Sequence, residues 1–190
     1  LKNGTACIPT YEQASLMLKI ILDREPASPP NFPDFSNHEK NWLADVGSVI
    51  ADAILPVFSP STLMQEENQM LVDWIENAGI PSSLEILPAL VRLDSNLRTL
   101  AEEKLRRGLA SRQQDSLRAA LCGVGRWVTM SNSDALFPFP QSLARAVVGI
   151  VANRRHPLLH FAIYTAKTLA QNKLLTTEEI ATLIDSLEDL

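Results

Sequence analysis

The sequence predicts an all-α fold. Apolar residues recur at helical spacing along most of the chain, and several of these stripes open with a capping pair. No segment alternates as a half-buried strand does; residues 147–151 come closest, but their flanks are helical. A helix leaves its first N–H groups unpaired. A Ser or Thr at the start accepts from them, and a Glu or Gln three residues on returns the bond. That pairing occurs at Thr10/Gln13, Ser36/Glu39, Ser82/Glu85, Ser111/Gln114 and Thr176/Glu179.

Nine helical segments can be laid out in order. The first covers residues 11–23, with Ala14, Leu18, Ile21 and Leu22 on one face. Residues 24–34 hold Pro26, Pro29, Pro30 and Pro33, which forbid a helix and give an extended connector. The second helix, residues 38–55, turns Trp42, Leu43, Val46, Ile50, Ala53 and Ile54 inward. Ser59-Pro60 opens the third, whose stripe is Leu63, Met70, Leu71, Trp74 and Ile75, and Gly79 ends it. The fourth carries Leu84, Leu87, Leu90 and Val91, with a kink expected at Pro88. The fifth, residues 96–107, stops at Gly108. The sixth, residues 113–129, turns Leu117, Ala120, Leu121, Val124 and Val128 inward, and its Gly123 and Gly125 suit close packing or a bend. Residues 130–140 read as a loop. The seventh helix follows with Leu143, Ala146, Val147, Ile150 and Val151. His156-Pro157 opens the eighth, with Leu159, Ala162, Ile163, Ala166 and Leu169, and the ninth carries Ile180, Leu183, Ile184 and Leu187.

Residues 1–190 are expected to form a single α-helical domain: residues 1–35 as an N-terminal helix plus connector, residues 36–190 as a helical body. The start at Leu1 is read as the mark of a fragment of a larger protein. Within the body, Pro81-Ser82-Ser83-Leu84 recurs as Pro140-Gln141-Ser142-Leu143, and Leu117-Arg118-Ala119-Ala120-Leu121 lines up with Leu159-His160-Phe161-Ala162-Ile163. The common unit is a short antiparallel helix pair with a tight polar turn. Ser116-Leu117-Arg118-Ala119-Ala120-Leu121 and residues 157–170 look like second helices of such units, and residues 80–170 resemble HEAT or armadillo-type α-helical repeats. The resemblance implies helix pairs stacked as an α-α superhelix with an extended concave face that binds other macromolecules. The alternative architecture is an irregular helical bundle.

Composition excludes several classes. With 46% apolar and 21% charged residues the chain is neither collagenous, mucin-like nor a disordered tail, and two cysteines do not make a disulfide scaffold. No apolar run reaches the length of a membrane span, so no membrane partner is expected, and low cysteine use points to an intracellular place, in the cytoplasm or the nucleus. His156 and His160 stand four apart, but no Glu follows His156 as in a metalloprotease helix, so no metal is assigned. No nucleophile elbow or phosphate loop occurs, and Gly123-x-Gly125 falls short of a dinucleotide fingerprint. Glu66-Glu67, Glu102-Glu103 and Glu178-Glu179 are adjacent pairs that point about 100° apart on a helix, which makes solvated faces rather than acid–base dyads. Cys122, in an apolar helical setting, reads as an inert thiol. No catalytic residue and no cofactor are therefore assigned.

Charge is the strongest functional signal. The net charge is −5, but it is unevenly laid out: −8 over residues 1–91, +7 over residues 92–167 and −4 over residues 168–190. The basic middle is mostly arginine, which suits bidentate binding of carboxylate or phosphate. Arg98, Arg118, Arg154 and Arg155 lie near the starts of second helices, and stacking would place them on one ridge. Trp127 is added as an anchor on condition that it is exposed. The expected function is a non-catalytic interaction or scaffold module that binds a protein partner or a neighbouring domain of its parent chain. The first alternative is a nucleic-acid-binding helical repeat using the arginines; the second is an all-α enzyme with a site around His156, His160 and Tyr164.

Overall fold

A computed structural model describes residues 9–23, 50–59, 68–73, 83–133, 137–153 and 156–188, and among them every regular element is helical. The connector at 24–34, the capping residues Ser36 and Ser82, and Trp42 and Trp74 lie outside the described residues.

Helix α1 (Tyr11–Asp23) starts as its sequence requires: the Thr10 N–H donates to Gln13 Oε1 at 2.9 Å and the Gln13 N–H to Thr10 Oγ1 at 3.3 Å. It buries Ala14 and Leu18 and packs on residues 50–57, with the Tyr11 ring edge-on to Phe58 at 5.4 Å. The sequence predicts that the second α-helix runs on through residues 50–55. Residues 50–57 form instead a wide π-type turn (Ile50–Ile54) and a tight 3-10 turn (Leu55–Val57). Pro56 has no N–H to carry the α-helical ladder past it, so the coil changes pitch there. Residues 68–73 are helical and bury Leu71 completely.

Helix α2 (Ser83–Leu93) is buried along most of its length, from Glu85 to Val91 without a break. The Asp94 carboxylate then accepts from the Asn96 N–H at 3.0 Å and from Asn68 Nδ2 at 3.1 Å, capping a 3-10 turn (Ser95–Leu97) and tying it to residues 68–73. Helices α3 (Arg98–Leu109), α4 (Gln114–Ser133), α5 (Gln141–Ala152), α6 (Leu159–Gln171) and α7 (Thr177–Leu187) follow.

Three boundaries differ from the sequence expectation. Helix α3 runs through Gly108, because that glycine is a packing position: a Cβ there would lie 2.7 Å from Leu84 Cδ1 and 2.8 Å from Ala120 Cβ. Ser111 Oγ accepts from the Gln113 N–H at 3.1 Å, one residue before α4, so the Ser111/Gln114 box does not form. Helix α4 runs to Ser133 because its last turn meets its own needs, with Ser131 and Ser133 hydroxyls donating to the carbonyls of Val128 and Met130.

The helices form two rows. Helices α3, α5 and α7 pack in sequence in one, α2, α4 and α6 in the other, and the pairs α3–α4 and α5–α6 join them. Helix α2 packs most extensively on α4. The close approach depends on two residues. Pro88 has no N–H to offer the Leu84 carbonyl four residues back, and Gly123 faces that carbonyl: a Cβ on Gly123 would sit 2.6 Å from Leu84 O. Leu90, Leu105, Leu117, Val124, Leu143, Val147 and Leu169 fill the space between the rows, each buried side chain contributing roughly 1.5–3 kcal/mol. Polar ties join successive helices within a row. Ser142 Oγ donates to the Glu102 carboxylate, Asn132 Nδ2 to Asn172 Oδ1 at 2.6 Å, and Gln141 Nε2 to Glu179 Oε2 at 2.6 Å.

Candidate binding cleft

Of the four ridge arginines the structure describes two, Arg98 and Arg118, and they stand at different places. Arg98 opens α3, lies 5.8 Å from the centroid of the Trp127 ring and donates to Pro138 O at 2.7 Å. Trp127 is completely buried and stacks on Phe137 at 5.4 Å, so it is not the exposed anchor entertained from the sequence. It lies three residues from Val124 and seven from Ala120, which puts it on the inward face of α4. The group Arg98, Trp127, Phe137 and Pro138 is a clamp that holds the segment leading into α5. Arg118 is exposed and covers the Phe161 ring at 5.6 Å. It stands nine residues from Trp127 along α4, or about 14 Å at 1.5 Å per residue, so Arg98 and Arg118 serve different places. Arg154 and Arg155 lie outside the described residues. Arg126, another basic residue of this region, pairs with the buried Glu85 at 3.6 Å across the α2–α4 contact.

The structure instead forms a cleft of about 590 Å³ at the edge where the α3–α4 and α5–α6 turns meet. Its floor is apolar: Leu109 and Leu117 from one pair, Ala146 and Ile150 from α5. Its rim carries Arg106 and Arg112, and Gln114, Asn153 and His156 add polar edges. Among the described residues no acidic side chain lines it. Among the described residues, neither Arg106 nor Arg112 takes part in an ion pair, whereas Arg107 is held by Glu103 one turn back. Arg106 sits in the last turn of α3, where a cation also suits the helix dipole. His156 Nδ1 accepts from the Leu158 N–H at 3.2 Å, so the neutral ring carries its proton on Nε2 and keeps that donor. Gly149 supplies the room. It is exposed on α5, and a Cβ added to it would meet nothing within 4 Å.

This arrangement can hold an anion attached to an apolar body. Two guanidinium groups give forked donors for carboxylate or phosphate, and the floor accepts hydrocarbon. Reactive chemistry has less to build on. The histidines are not brought to one site: His156 lines the cleft, while the His160 ring lies against Phe161 at 4.4 Å and Tyr164 is 71% exposed on α6. Among the described residues no three His, Cys, Asp or Glu side chains come together to hold a metal ion. Burial raises the Cys122 thiol above the ordinary cysteine range, and the Glu85 carboxylate adds to the rise, which keeps the sulfur protonated. No described helix is long and apolar enough to cross a membrane.

Sequence reasoning counts Arg106 and Arg112 in the basic middle without selecting them as site residues, and it passes over Gly149. The available signal was local: two arginines bracketing the Gly108–Ser111 turn, and a lone glycine at a polar-face position of α5. Their meeting depends on packing between segments some forty residues apart. No protein-family model, curated protein or solved structure matches the chain.

Proposed function

We propose that the chain is a non-catalytic helical-repeat interaction module whose cleft takes an acidic, partly apolar segment of a protein partner. The observation that carries this reading is the Arg106/Arg112 rim, unpaired among the described residues, over an apolar floor with no acid among the described lining residues. A two-row stack also favours the repeat reading: cross-helix bonds recur at offsets of 38 or 40 residues, as Arg98 to Pro138, Ser142 to Glu102, Asn132 to Asn172 and Gln141 to Glu179. Nucleic acid is the weaker reading. Its case needs a broad free field of cations, and Arg98, Arg107 and Arg126 are engaged within the chain.

The test is a polarisation titration with a labelled amphipathic helical peptide bearing a Leu face and a Glu face. A matched Lys-for-Glu peptide and single- and double-stranded DNA and RNA serve as comparisons. Binding of the acidic peptide alone, weakened by salt and at least about tenfold by Arg112→Glu, is expected. Preferential binding of nucleic acid with a steep salt slope would replace this reading with the other.

A further inference from the structure

Among the described residues helix α7 is the last of its row. It packs on α5 through an inner side that buries Glu179, Leu183 and Ser186. At 100° per residue, Ile180, Ile184 and Leu187 fall together on one outer strip, and they are 42%, 50% and 41% exposed. Glu188 borders that strip and Glu178 lies beyond it, both exposed. The outer face of α7 is thus an apolar stripe with an acidic margin. The cleft is an apolar floor with a cationic margin. The segments that carry them have opposite net charges, −4 over residues 168–190 and +7 over residues 92–167.

We infer that the α7 face of one copy docks in the Arg106/Arg112 cleft of a second copy. The inference rests on the reading of the cleft given above. Glu178 and Glu188 meet the two arginines, Ile184 and Leu187 cover the floor, and the open space at Gly149 lets the incoming helix lie close against α5. The two surfaces come from different parts of the chain, and docked one way, α7 of one copy in the cleft of the next, they make a heterologous contact. Each docked pair keeps one free α7 and one free cleft, and assembly proceeds head to tail rather than closing as a symmetric pair. Three half-exposed side chains make a small contact of the transient class, so the association is weak and concentration-dependent.

Sedimentation equilibrium of the 190-residue chain from low to high micromolar concentration tests this. The average mass is expected to rise past that of a dimer at low salt and to fall back when salt is added. Arg106→Glu/Arg112→Glu, Gly149→Glu and Ile184→Asp are each expected to sediment as monomers with unchanged circular dichroism. An equimolar mixture of the arginine variant with Ile184→Asp is expected to form a one-to-one pair and nothing larger, since one retains α7 and the other the cleft. A chain that stays monomeric at every concentration overturns the inference. So does assembly that survives the cleft variants, which would mean that α7 pairs with α7. The Leu/Glu peptide separates this failure from failure of the cleft itself. A monomeric chain that binds the peptide loses only the self-docking, and one that binds neither loses both.

Discussion

Replacing Gly123 by alanine tests how closely α2 and α4 approach. In an isolated helix the change is favourable by about 1 kcal/mol. Here the new Cβ would lie 2.6 Å from Leu84 O and 2.7 Å from Leu105 Cδ2, and ordinary contact begins at 3.4 Å. The leucine tip can turn aside. The carbonyl belongs to backbone, so the helices must part by about 0.8 Å at this point, since dense cores have no slack to absorb it. Overpacking of this kind costs about 1–3 kcal/mol, and a backbone obstacle belongs at the upper end. Net of the helical gain, Gly123→Ala is expected to destabilise by about 1–2 kcal/mol, lowering the Tm by roughly 2–8 °C for a chain of this size. Gly125, two residues on, has nothing within 4 Å of its would-be Cβ. Gly125→Ala is therefore expected to raise the Tm by about 2–4 °C. Urea titration and calorimetry of the two variants make the comparison, with the m-value confirming that the folded state is unchanged. If Gly123→Ala is as stable as Gly125→Ala, the α2–α4 approach described above is wrong.

Two further predictions follow from the same geometry. Thr176→Ala removes the capping box of α7, in which Thr176 Oγ1 accepts from the Glu179 N–H at 3.3 Å and Glu179 Oε2 accepts from the Thr176 N–H at 2.8 Å, and is expected to cost about 1 kcal/mol in urea unfolding. Burial, with Glu85 beside it, holds the Cys122 thiol proton more tightly in the folded chain than in the unfolded one. The stability this gives is complete below the ordinary thiol range and is lost as pH rises through the raised folded value, so alkaline unfolding is expected to soften in Cys122→Ala, and native Cys122 to react more slowly with iodoacetamide than the unfolded chain does.

Much of the fold can be read from the residues because its signals are local. Thr10/Gln13 and Thr176/Glu179 form boxes with their own near neighbours, the stripe of α4 buries the residues its spacing selects, and that of α5 buries all of them but the half-buried Ala146. The errors arise where a distant segment decides. Gly108 resembles a helix stop until Leu84 and Ala120 are seen against it, and the π-type turn before Pro56 answers to packing on α1 as well as to the proline. The charge partition is visible in the sequence, but its use is not. Arg98 is claimed by a carbonyl forty residues away and Arg126 by Glu85, which leaves Arg106 and Arg112 as the rim of the cleft.

Gly149 offers the sharpest measurement of whether the cleft is a binding site. Its Cβ position is open, so Gly149→Glu adds a side chain and a negative charge to the cleft while improving helix propensity. Calorimetric titration of the Leu/Glu peptide into wild type and Gly149→Glu compares them directly. The expected result is binding to wild type, a loss of at least about tenfold, or ~1.4 kcal/mol, in the variant, and a Tm no lower than that of wild type. Equal affinity of the two proteins for the peptide would show that the Arg106/Arg112 cleft is not where an acidic partner binds.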